Sequence, residues 1–128
     1  IKKNSKMKIL FMAYGYSPMI YSRRYLITNY LKYIGREKIV NGKYKIISDD
    51  NKSYIIDEEK YGTTIYTPEV INLINYKDEL DSIDYLVLDG NKVENDEFYK
   101  VRDNYITGKK MDNTYLGFFN TKTIYKVK

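Results

Sequence analysis

KILFMAYGYSPMIYSRRYLITNYL, residues 8–31, is the stretch around which the rest of the chain is organised. It begins with the uninterrupted apolar run Ile9–Ala13. A short run without alternation is typical of a strand that is buried on both faces, as in a parallel sheet. Gly15 and Pro18 then break the run. The stretch therefore predicts a buried strand followed by a turn rich in hydrogen-bonding side chains.

The second half of this stretch has the pattern of an amphipathic helix. Ser22 is a favourable N-cap residue, so Arg23 and Arg24 fall in the predicted first turn, and Gly35 supplies the C-terminal stop. Apolar residues recur at helical spacing at Leu26, Ile27, Tyr30, Leu31 and Ile34. One strand–loop–helix unit is predicted over Ile9–Ile34.

A second unit of the same kind is predicted over Tyr85–Thr107. The apolar run Tyr85–Leu88 ends in the polar turn Asp89-Gly90-Asn91. A helix capped by Asn95 or Glu94 follows, and Gly108 ends it. Its inward face is predicted to contain Phe98, Val101, Arg102, Tyr105 and Ile106.

A further helix is predicted to begin at Thr67-Pro68-Glu69, because these residues suit an N-cap, a first helical position and the positive end of the helix dipole. Its apolar stripe consists of Leu73, Tyr76, Leu80 and Ile83.

Two other stretches predict antiparallel strands. Alternation on both sides of the Asp49–Lys52 turn predicts a hairpin ending near Asp57, and Tyr61–Tyr66 predicts a third strand. Near the end of the chain, Tyr115–Phe119 and Thr123–Val127 predict a terminal hairpin.

These elements together predict an α/β fold of partial (β/α) barrel-like units with antiparallel β-hairpin insertions, with α+β as the alternative. With 128 residues, the chain has the length of a single domain, residues 1–128. The hairpin at 43–66 is predicted to be an insertion within that domain. Because the chain begins with Ile1 rather than methionine, we expect it to be a fragment of a longer polypeptide, whose remainder would be one of its partners.

Composition excludes several classes of site. The sequence has no cysteine and no histidine, which removes thiolate and imidazole zinc sites, Fe–S clusters and histidine-dependent nucleophiles. We predict no cofactor and no metal. No apolar run reaches the length of a membrane span, so we expect a cytoplasmic protein without a membrane partner. The net charge of +5 favours weak attraction to RNA or to an acidic partner, but a solvated lysine-rich surface is the preferred explanation of the charge.

The candidate site lies where the two predicted parallel strands end. Loops that follow the carboxyl ends of such strands meet at one edge of the sheet, so the turn after Gly15 and the turn at Asp89 are expected to open on the same side. The residues that this edge would bring together are Ser17, Tyr21, Ser22, Arg23, Arg24, Asp89 and Asn91.

Each of these residues has a functional and a structural interpretation. Arg23 and Arg24 suit an anion clamp at a helix N-terminus, or they are cations held by nearby acids such as Asp89. Ser22 is better explained as a cap than as a nucleophile, since no histidine exists to activate it. Asp89 suits an acid/base or orienting role, or simply closes the turn after its strand.

The chain also carries a family resemblance. The segment from Gly15 to Leu31, with its Tyr21-Ser22 pair and Asn29-Tyr30-Leu31, resembles peptidase family U32, the collagenase-like proteases. The similarity continues through residues 61–67, through Ile83-Asp-Tyr-Leu-Val-Leu-Asp-Gly90, and through Gly117–Lys126. It covers almost the whole chain.

The resemblance implies a barrel-like domain lying mostly upstream, with these residues supplying its last units. Some relatives are RNA or quinone hydroxylation factors that bind a 4Fe–4S cluster through four cysteines. Two of those positions fall here on Pro18 and Tyr25, and the other two fall around residues 36–40, so this chain cannot hold the cluster. It also departs from many relatives at Tyr14, where they have histidine, and at Asn91, where they have arginine.

The functional hypothesis is a U32-like protease domain, and enzymatic activity is implied by the resemblance alone. Tyr21, Ser22 and Asp89 would be the catalytic residues, while Ser17, Arg23, Arg24 and Asn91 would bind a peptide or protein substrate. The alternative is a non-catalytic module that binds RNA or a protein, derived from the cluster-bearing RNA-hydroxylation branch. A third reading is a purely structural cap of the barrel.

Overall fold

The computed structural model describes residues 6–122, which form two compact units. The first unit contains residues 6–15 and 71–122, and the second contains residues 16–70. The strands are β1 (Leu10–Gly15), β2 (Pro18–Ser22), β3 (Tyr44–Ile47), β4 (Ser53–Glu59), β5 (Gly62–Tyr66), β6 (Ile71–Asn72) and β7 (Tyr85–Leu88). The helices are α1 (Leu26–Tyr33), a 3₁₀ helix (Ile74–Leu80) and α2 (Asn95–Thr107). Mixed helix and sheet content confirms the predicted fold class, and whether the chain is one domain stays a prediction.

The first unit is built on a three-stranded sheet in the order β6-β1-β7. Strand β1 pairs in parallel with β7, with Leu10 opposite Tyr85 and Tyr14 opposite Leu88, and antiparallel with β6. Both apolar runs that predicted parallel strands therefore form neighbouring strands of one sheet.

The core of the first unit lies where β1, the 3₁₀ helix and α2 meet. Its buried apolar residues are Ala13, Tyr14, Leu73, Ile74, Leu80, Val101 and Tyr105. The Tyr105 hydroxyl lies 2.9 Å from the Ala13 carbonyl oxygen and 3.1 Å from Asn72 Oδ1. This buried hydroxyl links α2 to β1 and β6.

Helix α2 follows the prediction in its bounds but not in its whole inward face. Glu94 occupies the N-cap position, Asp96 and Glu97 lie in the first turn, and Gly108 ends the helix in the left-handed conformation. Val101 and Tyr105 are buried as predicted. Two residues predicted on the inward face are instead exposed: Ile106, at 74%, and Arg102. The Arg102 guanidinium pairs with Asp103 and lies over the Tyr99 ring.

The prediction of a helix starting at Thr67 is wrong for the first half of that segment. Ile71 and Asn72 pair with β1, and the Leu73 N–H donates to the Ala13 carbonyl, so sheet pairing takes the backbone groups that a helix would need. The Thr67 hydroxyl donates to the Glu69 carbonyl instead of capping a helix. Only Ile74–Leu80 is helical, as a 3₁₀ helix.

The second unit is a four-stranded antiparallel sheet in the order β2-β5-β4-β3. The predicted hairpin around Asp49–Lys52 and the predicted third strand are confirmed as β3, β4 and β5. The predicted insertion at 43–66 lies within this unit. Strand β2 was not predicted, because Pro18 and Ser22 signalled a turn and a cap, yet proline is tolerated at the first residue of an edge strand.

The C-terminal end of α1 is closed by a Schellman motif, as Gly35 predicted. Gly35 has φ +69°, its N–H donates to the Lys32 carbonyl, and the Arg36 N–H donates to the Leu31 carbonyl.

The N-terminal end of α1 is capped from the sheet rather than by Ser22. The residue before the helix, Tyr25, makes no side-chain cap. The Leu26 N–H donates to Thr63 Oγ1 at 3.0 Å and the Thr28 N–H donates to Glu58 Oε2 at 3.0 Å. The Glu58 side chain, only 2% exposed, also accepts from the Thr28 hydroxyl and pairs with Lys38 Nζ at 2.9 Å.

The terminal hairpin does not form in the described part of the chain. Tyr115 makes a single bridge to Ile71, and residues 117–120 form a turn in which Gly117 has φ +58°. The second predicted strand, Thr123–Val127, lies outside the described residues. Within residues 6–122 no helix combines the length and apolarity needed to cross a bilayer.

We expect Tyr105→Phe to lower the free energy of unfolding by about 0.5–1.5 kcal/mol, because the buried hydrogen bond from its hydroxyl is lost while the Ala13 carbonyl and Asn72 Oδ1 keep the Leu73 N–H and the Ile74 N–H as donors. Burial also raises the pKa of the Tyr105 hydroxyl above its ordinary value. The unfolded chain then releases this proton at a lower pH than the folded chain does, so stability falls as pH rises above about 10. Urea unfolding at about pH 9 and pH 11 measures both effects.

The matched control is Tyr99→Phe, a half-exposed tyrosine of the same helix. An alkaline loss of stability that is the same in wild type and Tyr105→Phe would contradict the assignment to Tyr105.

Glu58 gives the opposite pH dependence. Burial alone would raise the pKa of this carboxyl, but the hydrogen bonds from Thr28 and Lys38 outweigh burial and hold the pKa below its ordinary value. As the pH falls, the Glu58 carboxyl is therefore protonated in the unfolded chain before it is protonated in the folded chain. We expect the free energy of unfolding to fall as the pH drops below about 4.5. Glu58→Gln should cost about 1–3 kcal/mol at neutral pH and flatten this acid dependence, measured by urea unfolding. Glu59→Gln, at an exposed neighbouring position, should leave the acid dependence as steep as in wild type.

Candidate functional site

The carboxyl edge of the first unit brings Gly15 and Asp89 side by side. Strands β1 and β7 run in parallel, and the Asp89 N–H donates to the Tyr14 carbonyl at 2.8 Å. A Cβ on Gly15 would lie 2.9 Å from the Asp89 Cβ, so the approach requires glycine. The prediction that both turns begin at one edge of the sheet is confirmed.

Asp89 itself acts as a turn-forming residue at this edge. Its Oδ1 accepts a hydrogen bond from the Asn91 N–H at 2.8 Å, an Asx turn, and its side chain is half-buried while Asn91 is exposed. A catalytic role for Asp89 and a binding role for Asn91 stay predictions.

The other five predicted site residues lie in the second unit. Ser17 closes the two ends of this unit, because its N–H donates to Thr67 Oγ1 at 3.2 Å and its carbonyl accepts from the Thr67 N–H at 2.9 Å. Ser17 is thereby engaged through its backbone. That Asp89 and Asn91 of the first unit work together with these five residues stays a prediction.

Arg23 and Arg24 form a corner between β2 and α1 rather than the first turn of a helix, which begins only at Leu26. The corner is held by Thr63, whose hydroxyl donates to the Arg24 carbonyl at 2.7 Å. Ser22 Oγ accepts from the Arg24 N–H at 3.1 Å, so Ser22 shapes this corner instead of capping α1. Within residues 16–70, neither arginine forms an ion pair.

Three exposed tyrosines lie beside this corner. Lys60 and Tyr61 form the tight turn between β4 and β5, where Glu59 pairs with Gly62. The Tyr21 hydroxyl donates to the Tyr61 carbonyl at 2.6 Å, and the Tyr25 hydroxyl donates to the Lys60 carbonyl at 2.7 Å. Tyr21, Tyr25 and Tyr61 are nevertheless 59%, 46% and 73% exposed.

We call this group the tyrosine–arginine surface. Lys60 contributes to it as well, with its Nζ 5.5 Å from the centroid of the Tyr61 ring. A polar cleft of about 420 Å³ adjoins it, and its lining carries both signs of charge: Tyr25, Thr28, Lys38, Glu58, Glu59 and Lys60. The surface consists of Tyr21, Arg23, Arg24, Tyr25, Lys60 and Tyr61.

Sequence reasoning named half of this surface and missed the other half. Tyr21, Arg23 and Arg24 were predicted site residues, whereas Tyr25, Lys60 and Tyr61 were not. With sixteen tyrosines in 128 residues, the sequence alone does not single out the few that are exposed together. A Tyr61-Gly62 turn between two alternating segments was the available signal.

The cluster-ligand positions implied by the family resemblance do not fit an Fe–S cluster here. Pro18 has no donor side chain, and the Tyr25 hydroxyl donates to the Lys60 carbonyl. Among residues 6–122 there is no group of three or more histidine, cysteine, aspartate or glutamate side chains that could hold a metal ion.

We expect Gly62→Ala to destabilise the second unit and disturb the corner. Gly62 has φ +141°, and a Cβ there would lie 2.1 Å from the Ser22 carbonyl oxygen and 3.0 Å from the Arg23 Cα. The clash and the backbone strain together should lower the free energy of unfolding by about 3 kcal/mol or more. Gly35→Ala is the matched control: its φ is also positive, but a Cβ meets nothing within 4 Å, so it should cost only about 1–2 kcal/mol. Urea unfolding of both variants checks this, and equal losses would contradict the close approach at Gly62.

Comparison with known proteins gives one informative match. No protein-family model and no solved structure matches the chain. Over 98 residues, 70% of this chain, it is 32% identical to tRNA hydroxylation protein P2 of Bacillus subtilis strain 168. The match covers 32% of that protein, so the chain spans about a third of the length of this curated relative. The chain is therefore similar to one part of a protein named for the hydroxylation of tRNA.

Proposed function

We propose that this chain is a U32-family domain that binds RNA through the tyrosine–arginine surface. The observation that carries the proposal is a group of three exposed tyrosine rings beside two arginines. Two of the rings are anchored by hydroxyl–carbonyl bonds, and within residues 16–70 neither arginine forms an ion pair. The similarity to a tRNA hydroxylation protein supports RNA as the nucleic acid and U32 as the family.

The rings would contact bases by stacking. Aromatic side chains stack on unpaired bases with a contribution of about 1–3 kcal/mol per base, largely independent of sequence. The hydroxyls of Tyr21 and Tyr25 are tied to the Lys60–Tyr61 turn, so their rings are held in place before RNA arrives. Less side-chain entropy is then lost on binding. Stacking requires unpaired bases, so single-stranded segments and loops fit better than duplexes.

The cations would contact the phosphates between those bases. Arginine suits this role because its planar guanidinium donates two parallel hydrogen bonds to phosphate oxygens. Arg23 and Arg24 are exposed, and their backbone is held by the hydrogen bond from the Thr63 hydroxyl to the Arg24 carbonyl. The pair is therefore positioned by the fold and is open to an anionic ligand.

The peptidase reading is the alternative, and it rests on the family resemblance. It would use Tyr21, Ser22 and Asp89 as catalytic residues. Ser22 is half-buried in the corner and accepts a hydrogen bond from the Arg24 N–H, and the chain contains no histidine to activate it. We therefore favour RNA binding.

The test is fluorescence anisotropy with a labelled RNA stem-loop and with a duplex of the same length. We expect the stem-loop to bind more tightly and Tyr61→Ala to weaken it by about fivefold or more, since one stacking contact is lost. The double variant R23A/R24A should lower the slope of log Kd against log salt by about 1.4, as expected for two phosphate contacts on a single strand.

Two substitutions away from the surface serve as controls. Tyr33→Ala removes an exposed tyrosine at the far end of α1, and Lys43→Ala removes an exposed lysine next to edge strand β3. Both should leave stem-loop affinity unchanged. Salt-independent binding, or equal weakening by Tyr33→Ala and Tyr61→Ala, would contradict the proposal. Release of peptides from gelatin that is lost in Arg24→Ala would instead support the peptidase.

A further inference from the structure

The connection between α1 and β3 contains an asparagine followed by glycine, Asn41-Gly42, which is the only such pair in the chain. Asparagine is chemically labile, and most so before glycine, because a residue without Cβ does not hinder attack by its own backbone nitrogen on the preceding side chain. A folded protein permits this attack only where the side-chain amide is accessible and the backbone can open. Both conditions are met at Asn41.

Asn41 lies in a tight, exposed turn. The Gly42 N–H donates to the Ile39 carbonyl at 3.0 Å, which closes a β-turn over residues 39–42. Asn41 is the third residue of this turn and has φ +57°, a conformation that a type II turn requires there and that asparagine tolerates. The structural role of Asn41 is therefore to form the turn.

Little else holds this turn closed. Asn41 is exposed, and among residues 6–122 its side-chain amide has no hydrogen-bond partner. Ile39 and Val40 are 68% and 87% exposed, so packing adds little. The one tether from outside the turn is the Ile39 N–H, which donates to the Tyr44 hydroxyl at 2.7 Å. Opening the turn therefore breaks one exposed backbone hydrogen bond and uncovers little apolar surface.

The pair Asp89-Gly90, which can form the same cyclic intermediate, is protected by its contacts. Asp89 Oδ1 accepts from the Asn91 N–H at 2.8 Å, and the Asp89 side chain is half-buried. A Cβ on Gly90 would lie 3.0 Å from two atoms of the Phe98 ring, so this backbone packs against α2. Attack at Asp89 would require both contacts to break. The two pairs therefore share a sequence preference and differ in structural protection.

We propose that Asn41 is a site of spontaneous deamidation in the folded protein. The Gly42 nitrogen loses its proton to solvent and bonds to Asn41 Cγ, the Cγ–Nδ2 bond breaks, and ammonia leaves after taking a proton from water. The product is a cyclic succinimide. Water then opens the ring at either carbonyl and gives aspartate or isoaspartate. The net change replaces the amide nitrogen by oxygen from water, with no oxidation or reduction.

Either product alters the connection between α1 and β3. Aspartate adds a negative charge beside the exposed Lys43 and can keep the turn, since it tolerates the left-handed conformation. Isoaspartate carries the backbone through the former side chain and lengthens it by one methylene. The hydrogen bond between the Ile39 carbonyl and the Gly42 N–H then loses its present geometry. This modification is independent of the proposed RNA binding.

The test is incubation of the 128-residue protein in mildly alkaline buffer at body temperature, with an unincubated sample as the reference. Peptide mass spectrometry measures the conversion of amide to acid, and protein isoaspartate methyltransferase with labelled S-adenosylmethionine detects isoaspartate. We expect both signals in the peptide containing Asn41 and no methyl label at Asp89. In urea, where the protecting contacts are lost, Asp89 should also take the label.

Tyr44→Phe removes the tether and should raise the rate at Asn41 about threefold, as expected for the loss of one exposed hydrogen bond. Tyr54→Phe, at a tyrosine of the neighbouring strand β4, is the matched control and should leave the rate unchanged. Reaction at Asn41 in urea but not in the folded protein overturns the proposal. Equal labelling of Asn41 and Asp89 in the folded protein, or the same rate in Tyr44→Phe as in wild type, overturns it as well.

Discussion

The Thr63 hydroxyl is the contact on which the second unit depends. Thr63 is fully buried on β5, and its hydroxyl accepts from the Leu26 N–H and donates to the Arg24 carbonyl. One small side chain thus bridges the Arg24 carbonyl and the Leu26 N–H, the first N–H of α1, which also bond each other at 3.1 Å. A buried hydroxyl with both capacities used stabilises the corner, and an apolar residue of similar size would remove both of these hydrogen bonds. The side chains of the corner are displayed because its backbone is fixed.

Much of the first unit could be predicted because its signals are local. The uninterrupted apolar runs identified β1 and β7, and the acids and glycine at the two ends of α2 marked its bounds. Asp89-Gly90-Asn91 was recognisable as a turn from residue types alone. Because two parallel strands end at the same edge of a sheet, the proximity of their carboxyl ends could be predicted without knowledge of any side-chain contact.

The parts that escaped prediction depend on partners distant in the chain. Pro18–Ser22 became a strand because β5, more than 40 residues later, offers it an edge. The cap of α1 comes from Glu58 and Thr63 rather than from Ser22, which no local spacing could reveal. The three exposed tyrosines likewise come together only through the β4–β5 turn. A propensity scale assigns residues to elements, but it does not say which elements will be neighbours.

The second unit leaves and re-enters the first at residues that face each other, because Gly15 pairs with Ile71 across β1 and β6. On its own side, the unit is closed by the reciprocal backbone bonds of Ser17 and Thr67. The single excursion of the chain, residues 16–70, therefore starts and ends at a spacing that an ordinary hairpin loop would bridge. A segment joined in this way behaves as an exchangeable cassette: evolution could lengthen, swap or delete it without altering the register of the sheet that carries it.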